Sequence, residues 1–99
     1  MFILDKDESI LSQAPARYQG KTGVLYLTSN RLFFEYMEGL ITKKRYRAIE
    51  INLKDIISIK AEKSIQKKLL IRSKSRAGFI EFIVNKPDFW EYQIGLNLV

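Results

Sequence analysis

Residues 23 to 36 read GVLYLTSNRLFFEY, and this stretch decides the fold. Val24 to Leu27 form one continuous apolar run, and Leu32 to Tyr36 form a second run after a short polar interval. Two apolar runs around a polar turn are typical of an antiparallel hairpin. The sequence therefore predicts two paired strands with Ser29 and Asn30 at the centre of the turn.

The second strand of this hairpin indicates where the core lies. Side chains alternate between the two faces of a strand, so Leu32, Phe34 and Tyr36 point one way while Phe33 and Glu35 point the other. We expect one of these faces to form the core.

Further segments along the chain read as strands. They alternate apolar with polar residues or are bounded by turn residues, and they are Ala16–Gln19, Lys44–Ile51, Ile57–Glu62, Lys67–Arg72 and Phe79–Val84. In Ile57–Glu62 the isoleucines are expected inside and the charges outside. With the hairpin these segments give about seven antiparallel strands, a mainly β (α+β) chain.

A single helix is predicted at the C-terminal end, from Pro87 to about Leu96. Proline suits the first helical turn, where its missing N–H costs nothing, and Asp88 favours the positive helix N-terminus. Phe89, Trp90 and their neighbours form a broad apolar stripe that needs a sheet to cover. We expect Trp90 and Phe89 to close the mouth of a small barrel.

Size and composition indicate one domain spanning residues 1–99, either whole or excised from a longer protein. The chain has 46% hydrophobic and 28% charged residues, as ordinary globular domains do. It has no cysteine and no histidine, which removes thiolate chemistry and the usual general base, so we expect neither an enzyme nor a cofactor. It also lacks a basic signal-peptide start and an apolar run of the roughly 20 residues that span a membrane, which favours a cytoplasmic location.

The net charge of +6 is concentrated in the middle of the chain. Residues 43 to 76 contain twelve basic and three acidic residues, a local net charge of +9. Such asymmetry attracts anionic partners, although a charge run is often only a solvated face. The candidate ligand-binding residues form two groups, namely Lys43, Lys44, Arg45 and Arg47, and Lys67, Lys68, Arg72, Lys74 and Arg76.

The hairpin also resembles a known family. The pattern Gly23-x-Leu25-x-Leu27-Thr28-x-x-Arg31-Leu32-x-Phe34 resembles the second and third strands of GRAM-type members of the pleckstrin-homology (PH) superfamily, and Ile51-x-Leu53-x-Asp55-Ile56-x-x-Ile59 is similar to a later passage of them. The GLUE domain of the ESCRT-II complex has a similar hairpin. The resemblance implies a PH-like barrel of two near-orthogonal sheets capped by the helix. It also implies membrane trafficking, with binding of phosphoinositide-like headgroups, of protein segments or, for GLUE, of ubiquitin.

The chain departs from the lipid pocket of many PH domains. Arg17 and Lys21 are present, but the apolar Val24, Leu25 and Tyr26 follow where cations would be needed. Any lipid site is therefore expected at the two basic groups named above. We expect a non-catalytic adaptor that docks on an anionic, phosphoinositide-bearing membrane surface, on a protein such as ubiquitin, or on both.

Two alternatives remain beside that interpretation. The domain could dock only on proteins, without lipid. A basic β-barrel that binds nucleic acid is the weaker alternative, because its aromatic platform is missing. Phe34, Phe79 and Phe82 are expected in the core, which leaves only Phe33, Tyr36 and Tyr46 spare.

Other conspicuous residues have structural interpretations. Arg31 follows a tight turn and is expected to tether the hairpin or to pair with Glu35, and Trp90 is expected in the core. Asp5, Asp7 and Glu8 are too few and too close to hold calcium, so we interpret them as solubilising acids.

Overall fold

The computed structural model of the protein describes residues 8–63 and 65–98, which form seven antiparallel strands and one helix. The strands are β1 (Ile10–Tyr18), β2 (Lys21–Thr28), β3 (Arg31–Glu38), β4 (Lys44–Asn52), β5 (Ile56–Glu62), β6 (Lys68–Ser73) and β7 (Ile80–Val84), and the helix is α1 (Pro87–Leu96). A single 3₁₀ turn, Leu53–Asp55, joins β4 to β5.

The strands form one unclosed sheet in the order β4-β3-β2-β1-β7-β6-β5, so β4 and β5 lie at its edges. The predicted strand count and the C-terminal helix are confirmed, and the helix has the predicted bounds. The first strand is longer than predicted, because it begins at Ile10 rather than Ala16 and pairs with β2 along its length. The sequence of this segment, ILSQAPARY, alternates too weakly to show it.

The sheet bends around one core. Phe34 on β3 and Phe82 on β7 have ring centroids 6.3 Å apart, and the ring of Tyr18 contacts both. Three strand spacings separate β3 from β7, which in a flat sheet would be about 14 Å. The sheet must therefore curve so that its two halves face each other, and Trp90 and Ile94 of α1 are buried in the same cluster.

The two halves of the sheet meet at a short seam. β1 pairs with β7 through Ala16 with Val84 and Arg17 with Ile83. On one side of this seam β1 turns away at Gln19 and Gly20, both with positive φ, and on the other β7 leaves the sheet at Lys86, also with positive φ, to enter α1. The outer surface consequently has a depression along the seam.

Three packing expectations are wrong in detail. Ile57 is exposed and Ile56 is buried instead, because the register of β5 shifts by one residue at that point. In α1 Trp90 is buried as predicted, but Phe89 is about half exposed and does not close the core. Phe79, treated as a core aromatic, is also exposed.

Within residues 8–63 and 65–98 there is no helix with the length and apolarity that a membrane span requires.

The hairpin that decides the fold depends on a close approach at Gly23. A Cβ atom at this position would lie 2.1 Å from the backbone oxygen of Glu35 and 2.9 Å from the ring of Phe34. Only glycine allows β2 and β3 to pair at this distance.

We expect Gly23→Ala to lower the free energy of unfolding by more than about 2 kcal/mol, because a backbone atom has to move to admit the methyl group. Gly95→Ala is the matched control, since a Cβ there meets no atom within 4 Å and alanine favours a helix by up to about 1 kcal/mol. Urea denaturation measures both variants. Equal stability of the two would contradict the close approach.

Candidate anion-binding surface

The hairpin of β2 and β3 buries side chains on its outer face as well as on its inner one. Phe33 is fully buried, and its ring stacks on Tyr26 of β2 at a centroid distance of 5.0 Å. The guanidinium groups of Arg31 and Arg47 lie over the same ring, at 5.4 and 4.0 Å from its centroid. The expectation of a single core face is therefore incomplete, because charged side chains cover the second face.

Glu8 anchors one end of this charged cover. Its carboxylate accepts hydrogen bonds from Arg31 Nε and NH2, both at 2.9 Å, and from the hydroxyl of Thr28. The side chain of Glu8 is completely buried. The interpretation of Glu8 as a solubilising acid is therefore wrong, whereas Asp5 and Asp7 lie outside the described residues.

Two more carboxylates complete the cover. Glu35 accepts hydrogen bonds from Arg47 at 3.0 and 2.9 Å, and Glu50 accepts one from Arg47 at 2.6 Å and one from Arg31 at 3.1 Å. Burial alone would raise the pKa of Glu50, but the hydrogen bonds from Arg47 and Arg31 outweigh it and lower that pKa. The hydrogen bonds with Glu8, followed by those with Glu50, raise the pKa of Arg31.

Arg31 thus has the structural role that its position after the turn predicts, with Glu8 and Glu50 as partners in place of Glu35. The second oxygen of Glu35 accepts no hydrogen bond within the described part of the chain, and Arg45 Nε lies 4.0 Å from it. Three carboxylates, Glu8, Glu35 and Glu50, are therefore balanced by three guanidinium groups. We call this set the outer charge network.

The outer charge network divides the first predicted basic group. Arg45 and Arg47 face its carboxylates, so their charge is largely neutralised. Lys43 and Lys44 are exposed, and neither forms an ion pair among the described residues. Arg45 and Arg47 lie on one face of β4, Lys44 lies on the other, and Lys43 precedes the strand, so the four cations do not form one cluster.

The second predicted group is also divided. Lys68 forms a surface ion pair with Glu81 at 2.7 Å, and Arg72 lies over the ring of Phe79 at 5.7 Å. Lys74 is exposed, and its backbone N–H donates to the backbone carbonyl of Asp55, the last residue of the 3₁₀ turn. Lys67 and Arg76 are exposed, and each lines a depression together with a cation that the sequence did not assign to a site.

That cation is Arg17, which projects from the outer face of β1 beside the seam. Two adjoining depressions of about 610 and 340 Å³ share Arg17 and Ile83 in their walls. We call them together the seam groove. Arg76 and Phe79 line its larger part, and Lys67 lines its smaller part.

The seam groove is positively charged. Arg17, Lys67 and Arg76 form no ion pair within residues 8–63 and 65–98, whereas Glu81, the acidic residue in its wall, is already paired with Lys68. Exposed Phe79 and half-buried Ile83 add an apolar portion to the same wall. A positively charged, open groove with apolar walls suits an anion attached to an apolar body.

The turns beside the groove are neighbours. Lys21 at the start of β2 pairs with Glu38 at the end of β3 at 2.9 Å, which holds the β1–β2 turn against the β3–β4 loop. Gln19 and Gly20 of the same turn line the seam groove together with Arg76. Lys43, at the end of that loop, and Lys44, the first residue of β4, therefore lie close to the turn that borders the groove.

The aromatic side chains left spare by the sequence do not form an open stacking platform. Tyr36 and Tyr46 stack on each other with centroids 5.6 Å apart, and Lys21 lies over Tyr36. Phe33 is covered by the outer charge network.

The chain matches no protein-family model and no curated protein sequence. The functional argument consequently depends on the geometry of the described residues.

The free energy of unfolding tests whether the cations of the outer charge network stabilise the fold and those of the seam groove do not. Arg31→Ala removes the guanidinium that neutralises the buried Glu8 carboxylate, and we expect it to lower the free energy of unfolding by about 3 to 5 kcal/mol. Arg76→Ala is the matched control, and it should change stability by less than about 0.5 kcal/mol because Arg76 is exposed and unpaired. Urea denaturation at neutral pH compares the two, and a similar loss in both variants would contradict the division.

Proposed function

We propose that this domain is a non-catalytic, PH-like module that docks its parent protein on anionic membrane surfaces from the cytoplasmic side. Phosphate-bearing lipid headgroups, phosphoinositides among them, bind in the seam groove. The observation that carries the proposal is the presence of three cations around one groove, Arg17, Lys67 and Arg76, with no carboxylate of the described chain committed to any of them.

The chemistry of these side chains suits phosphate. A guanidinium group donates two parallel hydrogen bonds to a phosphate, and an ammonium group adds a point charge. Basic residues near an anionic bilayer contribute about 1 kcal/mol each. Lys43 and Lys44, close to the turn that borders the groove, add to the attraction without needing a pocket of their own.

The architecture supports the PH-like assignment. Four strands on one side of the short seam and three on the other, followed by a C-terminal helix, follow the order that the family resemblance implies. We propose that the two halves of the sheet are the two near-orthogonal layers of that fold. A groove between them is then a consequence of the crossing at the seam.

Vesicle co-sedimentation tests the proposal. We expect the triple variant Arg17→Gln, Lys67→Gln, Arg76→Gln to bind phosphoinositide-containing vesicles at least about tenfold more weakly than the unmodified protein, since three contacts of about 1 kcal/mol are lost. The matched control, Lys54→Gln, Lys60→Gln, Lys63→Gln, changes the net charge equally at exposed positions outside the groove.

Comparing the two triple variants shows whether the protein binds vesicles through the seam groove or through its net charge. Equal weakening would show that net charge alone drives binding and would reject the groove as a headgroup site. Comparison with phosphatidylserine vesicles of matched charge then distinguishes headgroup recognition from attraction to any anionic surface. No binding by the unmodified protein would reject the membrane role.

A second candidate function, docking on a protein, is favoured by the outer side of α1. Phe89, Tyr92 and Leu96 recur at helical spacing and are exposed at 47%, 63% and 56%. Apolar stripes of this kind are typical of protein-binding helices. Ubiquitin is the candidate that the GLUE resemblance supplies.

Titration of the isotope-labelled domain with ubiquitin tests this candidate. We expect chemical-shift changes confined to α1 and its neighbours, and their loss in Tyr92→Ser, which should leave the fold intact because the side chain is exposed. Gln13→Ser, an exposed change on β1, is the control. Unchanged spectra at excess ubiquitin would exclude ubiquitin as the partner.

A further inference from the structure

The loop between β3 and β4, residues 39–43, presents two aliphatic side chains that contact nothing in the domain. Leu40 and Ile41 are exposed at 102% and 99%. Single exposed apolar residues are common on protein surfaces, and Ile65 is an example. Two adjacent aliphatic side chains at the tip of a loop form a small apolar surface. No residue in the described part of the chain covers this surface, so a binding partner is needed to remove it from water.

The backbone of the loop holds this tip outward. Gly39 has a φ of +135°, and a Cβ there would lie 2.2 Å from the backbone oxygen of Thr42. The chain therefore folds back tightly immediately before and after Leu40 and Ile41. A side chain at Gly39 would open this turn, so glycine is required for the protrusion.

The charges around the tip are almost all positive. Lys43 and Lys44 follow it and form no ion pair among the described residues, whereas Glu38 before it is neutralised by Lys21. Met37, the residue before the last of β3, is also exposed. The order from the tip inward is thus aliphatic, then cationic, which is the order of hydrocarbon and anionic headgroups in a bilayer.

We propose that Leu40 and Ile41 insert into the membrane as a wedge while Lys43 and Lys44 contact the headgroups. This inference rests on the proposed function, and it adds an apolar contact to an electrostatic one. The partner is the acyl region of an anionic bilayer. A protein with an apolar pocket would use the same side chains, and the experiment below distinguishes it from lipid.

The absence of cysteine from the sequence makes a site-specific probe simple. Leu40→Cys carries an environment-sensitive nitrobenzoxadiazole label, and Ser29→Cys carries the same label as the control. Ser29 is exposed in the turn before β3, so the eight residues of that strand separate it from the tip. Vesicles of phosphatidylcholine and phosphatidylserine that also contain phosphoinositide are added, with and without nitroxide on the acyl chains.

We expect the Leu40 probe to shift to shorter emission wavelength and to be quenched by acyl-chain nitroxide, with neither effect at Ser29. We also expect Leu40→Ser with Ile41→Ser to weaken vesicle binding at least about tenfold, because two aliphatic side chains no longer leave water. Ile57→Ser, another exposed aliphatic position, should leave binding unchanged. The fluorescence emission wavelength of buried Trp90, the one tryptophan of the sequence, checks that each variant is folded.

Two results would overturn the wedge. If the protein pellets with vesicles but the Leu40 probe neither shifts nor is quenched, the domain binds by charge alone, and the proposed function survives without insertion. If neither the unmodified nor the labelled protein pellets, the proposed function fails and the wedge fails with it.

Discussion

The two residue pairs that join β1 to β7 are the constraint on which the rest of the structure depends. They connect the four-stranded and three-stranded halves of the sheet, and the same crossing lets Tyr18, Phe34 and Phe82 meet in one core. A longer ladder at this position would flatten the sheet and open the core. A small domain with a strongly bent sheet therefore has few backbone hydrogen bonds at the bend, and aromatic packing stabilises it there.

Charge in this protein has two separate roles. On the outer face of β2 to β4 the guanidinium groups and carboxylates neutralise each other and cover Phe33, so they act as part of the interior. Along the seam the cations have no such partners. Net charge, or a count of basic residues, describes neither role, because both kinds of arginine contribute equally to the total of +6.

Sequence patterns predicted the elements of the fold well where a single strand or helix decides them. The hairpin, the presence of β6 and β7 and the bounds of α1 follow from alternation, from turn residues and from Pro87. Patterns failed where two distant segments decide the outcome. A register shift between β5 and β6 exposes Ile57, and the outer charge network pairs Arg47 with Glu35 and Glu50. Both depend on which residues lie opposite each other in neighbouring strands. The sequence associates Arg17 only with the usual PH lipid pocket, because the residues that share the seam groove with it, near residues 67 and 76, are far away in the chain.

The alternation of β1 connects the groove to the interior. Ala16 and Tyr18 are buried on either side of exposed Arg17, and Tyr18 packs against Phe34 and Phe82. Arg17 is held beside the three-stranded half by its ladder pair with Ile83, while the aromatic rings behind it stabilise the bend at which the two halves meet. Under the proposed function, core substitutions that change this bend would alter the width of the seam groove without touching a ligand.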